Sequence, residues 1–227
     1  MPSPPKHLVL IAGEASGDLH GAHLVAAIKE ITPSTVFSGL GGPQMEARGV
    51  HLYDDLTKLA VVGFWEVLKH YRDIRQIFHH ILNKIEAIKP AAVILIDYPG
   101  FNLRLAKELK KRHIKVIYYI SPQVWAWKKN RVYAIQNTVD KMLVIFPFEK
   151  EFYSRFNIDV ACVGHPLVDV VKPQTPKNKF LKFLNFSDEH LTIALLPGSR
   201  QKEIENLLPA MLCAADILNK EFSEIQK

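Results

Sequence analysis

Short runs of almost uninterrupted apolar residues recur along this chain, and each run leads through a polar loop into a helical pattern. The clearest runs cover residues 8–12, 91–96, 116–120, 142–146 and 191–196. Strands without polar alternation are typical of parallel sheets whose two faces are both covered by helices. The order of strands and helices therefore predicts an α/β fold built on a parallel sheet.

A change of composition divides the chain into two parts. Residues 172–190 begin with a polar stretch that contains Pro173 and Pro176, as linkers between domains do. The sequence predicts a Rossmann-like domain over residues 1–171, a linker over 172–190, and the start of a second domain over 191–227. One strand and one helix cannot bury both of their faces, so we expect a C-terminally truncated protein or one that needs a partner.

The bulk properties restrict the compartment and the partners. A net charge of +6 favours phosphorylated small molecules, an anionic membrane surface or nucleic acid as partners. The two cysteines, Cys162 and Cys213, lie in apolar stretches, which predicts two buried thiols in a reducing compartment. Because no window approaches the roughly 20 apolar residues of a membrane span, we expect a cytoplasmic protein that touches a membrane from one side at most.

The loop after the first apolar run contains Glu14, Ser16 and Asp18. In open parallel sheets, ligands bind beyond the carboxyl ends of the strands, where loops and helix N-termini present backbone amides. Glu14 is an acid that a simple turn does not require. The alternative is a plain turn with Ser16 or Asp18 as helix N-cap. The loop lacks the G-x-G-x-x-G spacing of a dinucleotide site.

Asp97 directly follows the apolar run at 91–96. A carboxylate at the carboxyl end of a central parallel strand lies at the edge of the sheet where catalytic groups collect. The neighbouring Pro99 and Gly100 keep a turn or N-cap role open. The adjacent acids Asp54 and Asp55 are more typical of a solvated turn, and we assign no metal to them.

Two further loops carry candidate binding residues. Ser121, Gln123 and Trp125 follow the run at 116–120, close to a second tryptophan and three cations. Nucleic-acid binding requires a continuous basic and aromatic track, so the wall of a ligand cleft is favoured, with packing of a tryptophan as the alternative. After the run at 191–196, the turn Gly198-Ser199-Arg200 opens a helix and is typical of a phosphate site, against a capped turn with a surface arginine.

Six motifs in one order resemble the signatures of the lipid-A-disaccharide synthase family. They are Ala12-Gly13-Glu14-Ala15-Ser16-Gly17-Asp18, Gly63-Phe64-Trp65-Glu66-Val67-Leu68, Ser121-Pro122-Gln123-Val124-Trp125-Ala126-Trp127, Phe146-Pro147-Phe148-Glu149-Lys150, Gly164-His165-Pro166-Leu167 and Leu195-Leu196-Pro197-Gly198-Ser199-Arg200. No single motif is specific, but their order across nearly the whole chain is.

The resemblance implies a GT-B glycosyltransferase with two Rossmann-like domains, an inverting mechanism, and no metal or other cofactor. Family members condense UDP-2,3-diacylglucosamine with 2,3-diacylglucosamine 1-phosphate (lipid X) into a lipid A disaccharide and release UDP. The implied location is peripheral, on the anionic cytoplasmic face of the inner membrane, with no nucleic acid as partner and with homo-oligomerisation left open.

The resemblance also implies roles for residues. Asp97 would be the catalytic base, and Gly198, Ser199 and Arg200 would hold the donor phosphates. Glu14, Ser16, Asp18, Ser121, Gln123 and Trp125 would line the cleft, while Val61, Val62, Phe64 and Trp65 would contact acyl chains or membrane. The alternatives are an enzyme similar to UDP-sugar 2-epimerases and an inactive lipid- or nucleotide-binding fragment.

Overall fold

A computed structural model describes residues 5–57, 71–126, 129–198, 201–222 and 225–226. The chain divides into two compact units, Met1–Val170 and Val171–Lys227. The described strands are β1 His7–Ala12, β2 Val36–Gly41, β3 His51–Asp55, β4 Ala92–Ile96, β5 Val116–Tyr119, β6 Lys141–Val144, β7 Val160–Cys162, β8 Leu191–Thr192 and β9 Ile225–Gln226. The described helices are α1 Ala15–Ile31, α2 Pro43–Ala47, α3 Tyr71–Ile88, α4 Pro99–Lys111, α5 Arg131–Thr138, α6 Pro147–Ser154, α7 Leu167–Val170, α8 Lys177–Phe183 and α9 Gln201–Glu221.

The first unit contains a seven-stranded sheet in the order β3-β2-β1-β4-β5-β6-β7. Every neighbouring pair in this sheet is parallel. The chain builds outward from β1 through β2 to β3, then returns to place β4 on the other side of β1. This confirms the predicted α/β fold with a complete Rossmann-like domain.

The two central strands show why the apolar runs are not interrupted. Alternate residues of a strand point to opposite faces of the sheet. Val9 and Ile11 of β1 accordingly pack in one core cluster, with Ile81 of α3 and Leu105 of α4. Leu10 and Ala12 pack in the other cluster with residues of α1 and α2, including Val25 and Met45. Both faces of β1 are buried from Val9 to Ala12, so each of these positions must be apolar.

Close approach of β1 and β2 requires one glycine. Gly39 has φ +154°, and a Cβ atom added there would lie 1.8 Å from the carbonyl oxygen of Leu10. The pairing of β2 with β3 shifts register immediately after it, between Gly39 and Leu40. A side chain at position 39 would therefore separate two strands at the centre of the sheet.

The second unit differs from the prediction at its beginning. Helix α8 lies within the region predicted as linker. The strand predicted over residues 191–196 is only Leu191–Thr192, and Leu191 and Leu196 are 60% and 82% exposed. The expectation of a buried strand is wrong for these residues, because a parallel strand is buried only when neighbours and helices cover both faces. Within the described residues, β8 pairs with β9 alone. Helix α9 matches the predicted helix.

The prediction of two buried cysteines is also wrong. Cys162 and Cys213 are both free thiols, and both are exposed. Cys162 ends β7, the last strand at one edge of the sheet, and Cys213 lies on α9, where Ala215 is buried. An apolar neighbourhood in sequence did not correspond to burial at either place. Among the described helices, none combines the length and the apolar character that crossing a membrane requires.

Candidate functional site

The order of strands creates a crevice between β1 and β4. Chain connections leave these neighbouring strands in opposite directions, and ligands of open α/β sheets bind beyond the carboxyl ends at such a switch point. Glu14 lies two residues beyond the end of β1, and Asp97 is the first residue after β4. The fold therefore brings together, at one crevice, the two acids that the sequence analysis selected from separate motifs.

The backbone is strained at this edge of the sheet. Asp97 and Tyr98 both have φ +46°, and Ile120, just after β5, has φ +62°. Four other described non-glycine residues have a positive φ, namely Lys89, His113, Asn157 and Asn185. All four follow helix ends, where the left-handed conformation is common. Strand ends carry no such preference. Left-handed side-chain-bearing residues cost on the order of 1–3 kcal/mol each and cluster at functional sites.

Buried polar side chains hold the strained turn in place. The main-chain carbonyl of Asp97 accepts a hydrogen bond from the Tyr118 hydroxyl at 2.6 Å and another from Asn102 Nδ2 at 2.7 Å. The side chain of Asn102 also donates to the carbonyl of Ile96 at 3.2 Å. Tyr118 and Asn102 are completely buried. Sequence reasoning missed both residues, although an asparagine in the first turn of a helix after an Asp-Tyr-Pro-Gly turn was a signal for it.

Gly13 allows the two loops to meet. A Cβ atom added at Gly13 would lie between 2.2 and 2.7 Å from three carbon atoms of the Tyr98 ring. The aromatic side chain from the β4 turn thus lies directly on the backbone of the β1 turn. Burial is the main reason that the pKa of Tyr98 is raised, and the negative charge of Glu14 adds to it.

Asp97 has the electrostatics of a proton acceptor. Burial raises the pKa of its carboxyl to about 6, the charge of Glu14 adds to the rise, and a hydrogen bond from the Tyr98 backbone opposes it. A carboxylate with a pKa near the working pH is well matched to general-base catalysis, because it is ionised but still holds a proton strongly. The strained turn therefore carries a candidate general base, the Asp97 carboxylate.

We expect replacement of Glu14 by glutamine to lower the pKa of Asp97, because one of the two causes that raise it is a neighbouring negative charge. The shift should be smaller than the rise that burial causes, because burial is the larger of the two causes. The measurement is a carbon-13 NMR titration of the Asp97 carboxyl, with the exposed Glu30→Gln as matched control. An unchanged titration in the Glu14 variant would show that the two carboxylates do not interact.

Asp18 has a structural role, not the predicted place in the wall of the cleft. Its side chain is 2% exposed, and it accepts hydrogen bonds from the backbone amides of Gly42, Gln44 and Met45 at 2.9–3.0 Å. These contacts cap helix α2 from a neighbouring helix. Neither Ser16 nor Asp18 is the N-cap of α1, as the turn alternative proposed, because α1 begins earlier, with Glu14 as N-cap. Ser16 is exposed in its first turn.

The loop after β5 is fixed by buried contacts from α6. The Ser121 hydroxyl donates to Glu149, whose other carboxylate oxygen accepts from the backbone amides of Ile145 and Phe146. Ser121 and Glu149 are 6% and 2% exposed, so this buried hydrogen bond stabilises the loop from the protein interior. Gln123 is exposed.

Trp125 occupies the same loop and is half-buried. Its ring packs edge-on against Phe148 at a centroid distance of 5.0 Å. The indole nitrogen is buried without a hydrogen-bond partner in the described part of the chain. The packing role that the sequence left open for one tryptophan is therefore present here.

Several predicted site residues fall in regions that are not described. Ser199 and Arg200 of the phosphate turn lie outside the described residues, as do Val61, Val62, Phe64 and Trp65. Gly198 is described, exposed and has φ +112°. A Cβ atom there would lie 2.5 Å from a carboxylate oxygen of Glu203, so the start of α9 is folded closely onto the glycine.

Histidines that sequence reasoning did not select also belong to the first unit. Burial lowers the pKa of His20, and the neighbouring His165 and His23 lower it further. The interaction joins α1 to the segment after β7. The His20 imidazole is therefore biased toward the neutral form, in which it can both donate and accept hydrogen bonds.

Comparison with known proteins identifies the family. A family model described as lipid-A-disaccharide synthetase matches residues 8–227. The chain belongs to this family. It is 47% identical to the lipid-A-disaccharide synthase of Syntrophus aciditrophicus over 97% of its length, and 42% identical to that of Coxiella burnetii over 97%. These matches cover 58% and 59% of the two relatives, so the chain spans less than two thirds of their length. The predicted resemblance is confirmed.

Solved structures with the same fold include members of another group of sugar-nucleotide enzymes. The UDP-GlcNAc 2-epimerase of Neisseria meningitidis, bound to UDP-GlcNAc, has a TM-score of 0.61 at 12% identity over 96% of this chain and 63% of its own. The UDP-N-acetylglucosamine 2-epimerase of Rickettsia bellii has a TM-score of 0.59 at 14% identity over 98% and 61%. At this identity the likeness concerns the fold alone, and it agrees with the predicted GT-B-like architecture of the lipid-A-disaccharide synthetase family.

Proposed function

We propose that this chain is the acceptor-side part of a glycosyltransferase of lipid A biosynthesis. The reaction is the condensation of UDP-2,3-diacylglucosamine with 2,3-diacylglucosamine 1-phosphate to a β-1,6 disaccharide 1-phosphate and UDP. The observation that carries the proposal is the Asp97 carboxylate. It lies at the switch point of a parallel sheet, on a strained turn, with its pKa raised to about 6.

The proposed chemistry is a single displacement with inversion. Asp97 accepts the proton of the attacking acceptor hydroxyl while that oxygen forms a bond to the anomeric carbon of the donor. The bond between this carbon and the diphosphate oxygen breaks, and the electron pair leaves with UDP. The buried Tyr118 and Asn102 keep the Asp97 carbonyl fixed, so the carboxylate is presented in one geometry.

The departing diphosphate requires positive charge and backbone donors. We assign this role to Gly198, Ser199 and Arg200 before α9, where backbone amides and a guanidinium would stabilise the leaving group. Glu14 and Gln123 would border the sugars, and Trp125 would line the cleft beside them. Val61, Val62, Phe64 and Trp65 would contact acyl chains at the anionic cytoplasmic surface of the inner membrane, which the net charge of +6 favours.

The test uses the complete protein. UDP release is measured with the donor alone and with the donor plus the lipid acceptor, and the sugar products are identified by mass spectrometry. Acceptor-dependent UDP release with a disaccharide product is the expected result. Conversion of the donor to its 2-epimer without acceptor would support the epimerase alternative, and absence of both products would support a binding module.

A further inference from the structure

Four rings form a continuous row at the carboxyl edge of the large sheet. Trp125 contacts Phe148 with centroids 5.0 Å apart, Phe148 stacks on Phe146 at 5.6 Å, and Phe146 contacts His165 at 5.7 Å. We call these four residues the aromatic row. They come from the segments that follow β5, β6 and β7 in turn, and Phe148 lies in the first turn of α6. Only the tertiary structure brings them into contact.

The aromatic row is exposed at its two central rings, and Trp125 and His165 at its ends are half-buried. Phe146 and Phe148 are 40% and 46% exposed, and Val163, two residues before His165, is 52% exposed. Strands β5, β6 and β7 lie in this order beyond β4, the strand that ends in Asp97. The row therefore extends along the same edge of the sheet as the candidate catalytic carboxylate, on the side away from β1.

Buried hydrogen bonds hold the row rigid from beneath. Glu149 joins the Ser121 hydroxyl to the backbone at the start of α6, and the Tyr153 hydroxyl donates to the carbonyl of Pro122 at 3.1 Å. The loop that carries Trp125 is thereby fixed to the helix that carries Phe148. Preorganised rings lose little conformational entropy when a ligand binds. Such rigidity is a property of binding surfaces.

We propose that the aromatic row is a subsite for an acyl chain of the lipid substrate. The inference rests on the proposed function and adds a location for one acyl chain, formed by other residues than the apolar ones at 61–65. A sugar ring covers one aromatic face, whereas a row of four rings with consecutive contacts suits a long, narrow and apolar ligand. The position beside the β4 edge places a chain next to the sugar that carries it, and the aromatic carbons supply no hydrogen bonds that a sugar would need.

The experiment follows bromine quenching of Trp125. The replacements Trp65→Phe and Trp127→Phe leave Trp125 as the single tryptophan of this chain. The probe is dibromostearate below its critical micelle concentration, because bromine quenches indole fluorescence on contact. We expect saturable quenching that unbrominated stearate reverses. In the same background, Phe148→Ser should weaken probe binding about tenfold or more, since a large apolar contact is removed.

A matched control and one further variant make the outcome unambiguous. Phe183→Ser removes an 82% exposed ring from the second unit and should leave the probe affinity unchanged. Phe146→Ser should also weaken probe binding, and it serves as the test if Phe148→Ser unfolds this part of the protein. Melting curves show whether either variant is unfolded. Acrylamide quenching of Trp125 in the Phe146 variant should stay within twofold of its value without that substitution. This measurement separates loss of acyl-chain binding from a change in the solvent accessibility of Trp125.

Three results would overturn the proposal. They are absence of saturable quenching, equal affinity in the Phe146, Phe148 and Phe183 variants, and protection of Trp125 that depends on protein concentration, which would assign the row to a second copy. Probe binding does not require Asp97, so Asp97→Asn should bind dibromostearate normally. Normal quenching without glycosyltransferase activity would therefore refute the proposed function alone. Glycosyltransferase activity without saturable quenching would refute the acyl subsite alone.

Discussion

Replacement of Asp97 by asparagine in the complete enzyme is expected to lower turnover by roughly two to four orders of magnitude, the usual contribution of a general base. Asparagine has nearly the same shape as aspartate but cannot accept the proton of an acceptor hydroxyl. The strained turn is held through the Asp97 main-chain carbonyl, so the backbone should stay in place. The measurement is steady-state UDP release at saturating concentrations of both substrates.

The same substitution should stabilise the fold at neutral pH. The carboxyl pKa is 3.8 in the unfolded reference and about 6 in the folded protein, so the folded state binds the proton more tightly. The free energy of unfolding therefore falls as the pH rises from about 4 to about 6, and the full penalty is present above that window. Removing the charge should add about 1–3 kcal/mol at pH 8 and little at pH 4.

Thermal melts of wild type and Asp97→Asn at both pH values test this sign. The exposed Glu30→Gln is a matched acid-to-amide control and should change stability by less than about 0.5 kcal/mol. A variant that is inactive but more stable has the signature of a functional group held at a cost to the fold. Near-normal turnover with reduced stability would instead assign Asp97 to the turn role that the sequence left open.

Replacement of Asp18 by alanine is expected to cost about 3 kcal/mol of stability, because three backbone amides lose their acceptor. The amides belong to Gly42, Gln44 and Met45, and two of the three hydrogen bonds are buried. The hydrogen bond from Gln44 is only partly buried, so water would reach this amide in the variant and limit the loss. The measurement is chemical denaturation of the 227-residue chain, followed by circular dichroism.

Two companion variants separate capping from ligand binding at this helix. Asp18→Asn keeps one side-chain acceptor, so its loss should lie between those of wild type and alanine. Ser16→Ala lies on the same helix, is exposed and should be almost neutral for stability. Unchanged stability of Asp18→Ala together with weaker substrate binding would restore the cleft role that the sequence predicted.

The elements of the first unit were readable from the sequence because both faces of the sheet are covered. Burial on both faces requires residues 9–12 of β1 and all of β4 to be apolar, so these strands appear as continuous runs. The same logic failed for residues 191–196, where an apolar run is not covered by the described residues. It also failed for Cys162 and Cys213, because local apolar composition does not specify which side of an edge strand or helix is buried.

Helix starts were the least predictable boundaries at the site. Helix α1 begins at Ala15, earlier than a cap at Ser16 or Asp18 would give, and α4 begins at Pro99, so that Glu14 and Tyr98 become the N-caps. Neither has a side-chain capping hydrogen bond, so the usual N-cap signal was absent from the sequence. Tyr98 instead takes a left-handed backbone that only its surroundings stabilise.

The sequence by itself determined the fold class, the family and the identity of Asp97 as a candidate base, because these follow from local pattern and from motifs. The tertiary structure decided what the polar residues do. Asp18 caps the neighbouring helix α2, Ser121 joins Glu149, and Glu14 raises the pKa of Asp97 across a switch point. Those roles depend on which strands become neighbours, and residues 83 positions apart in the chain (14 and 97) interact only after the sheet has formed.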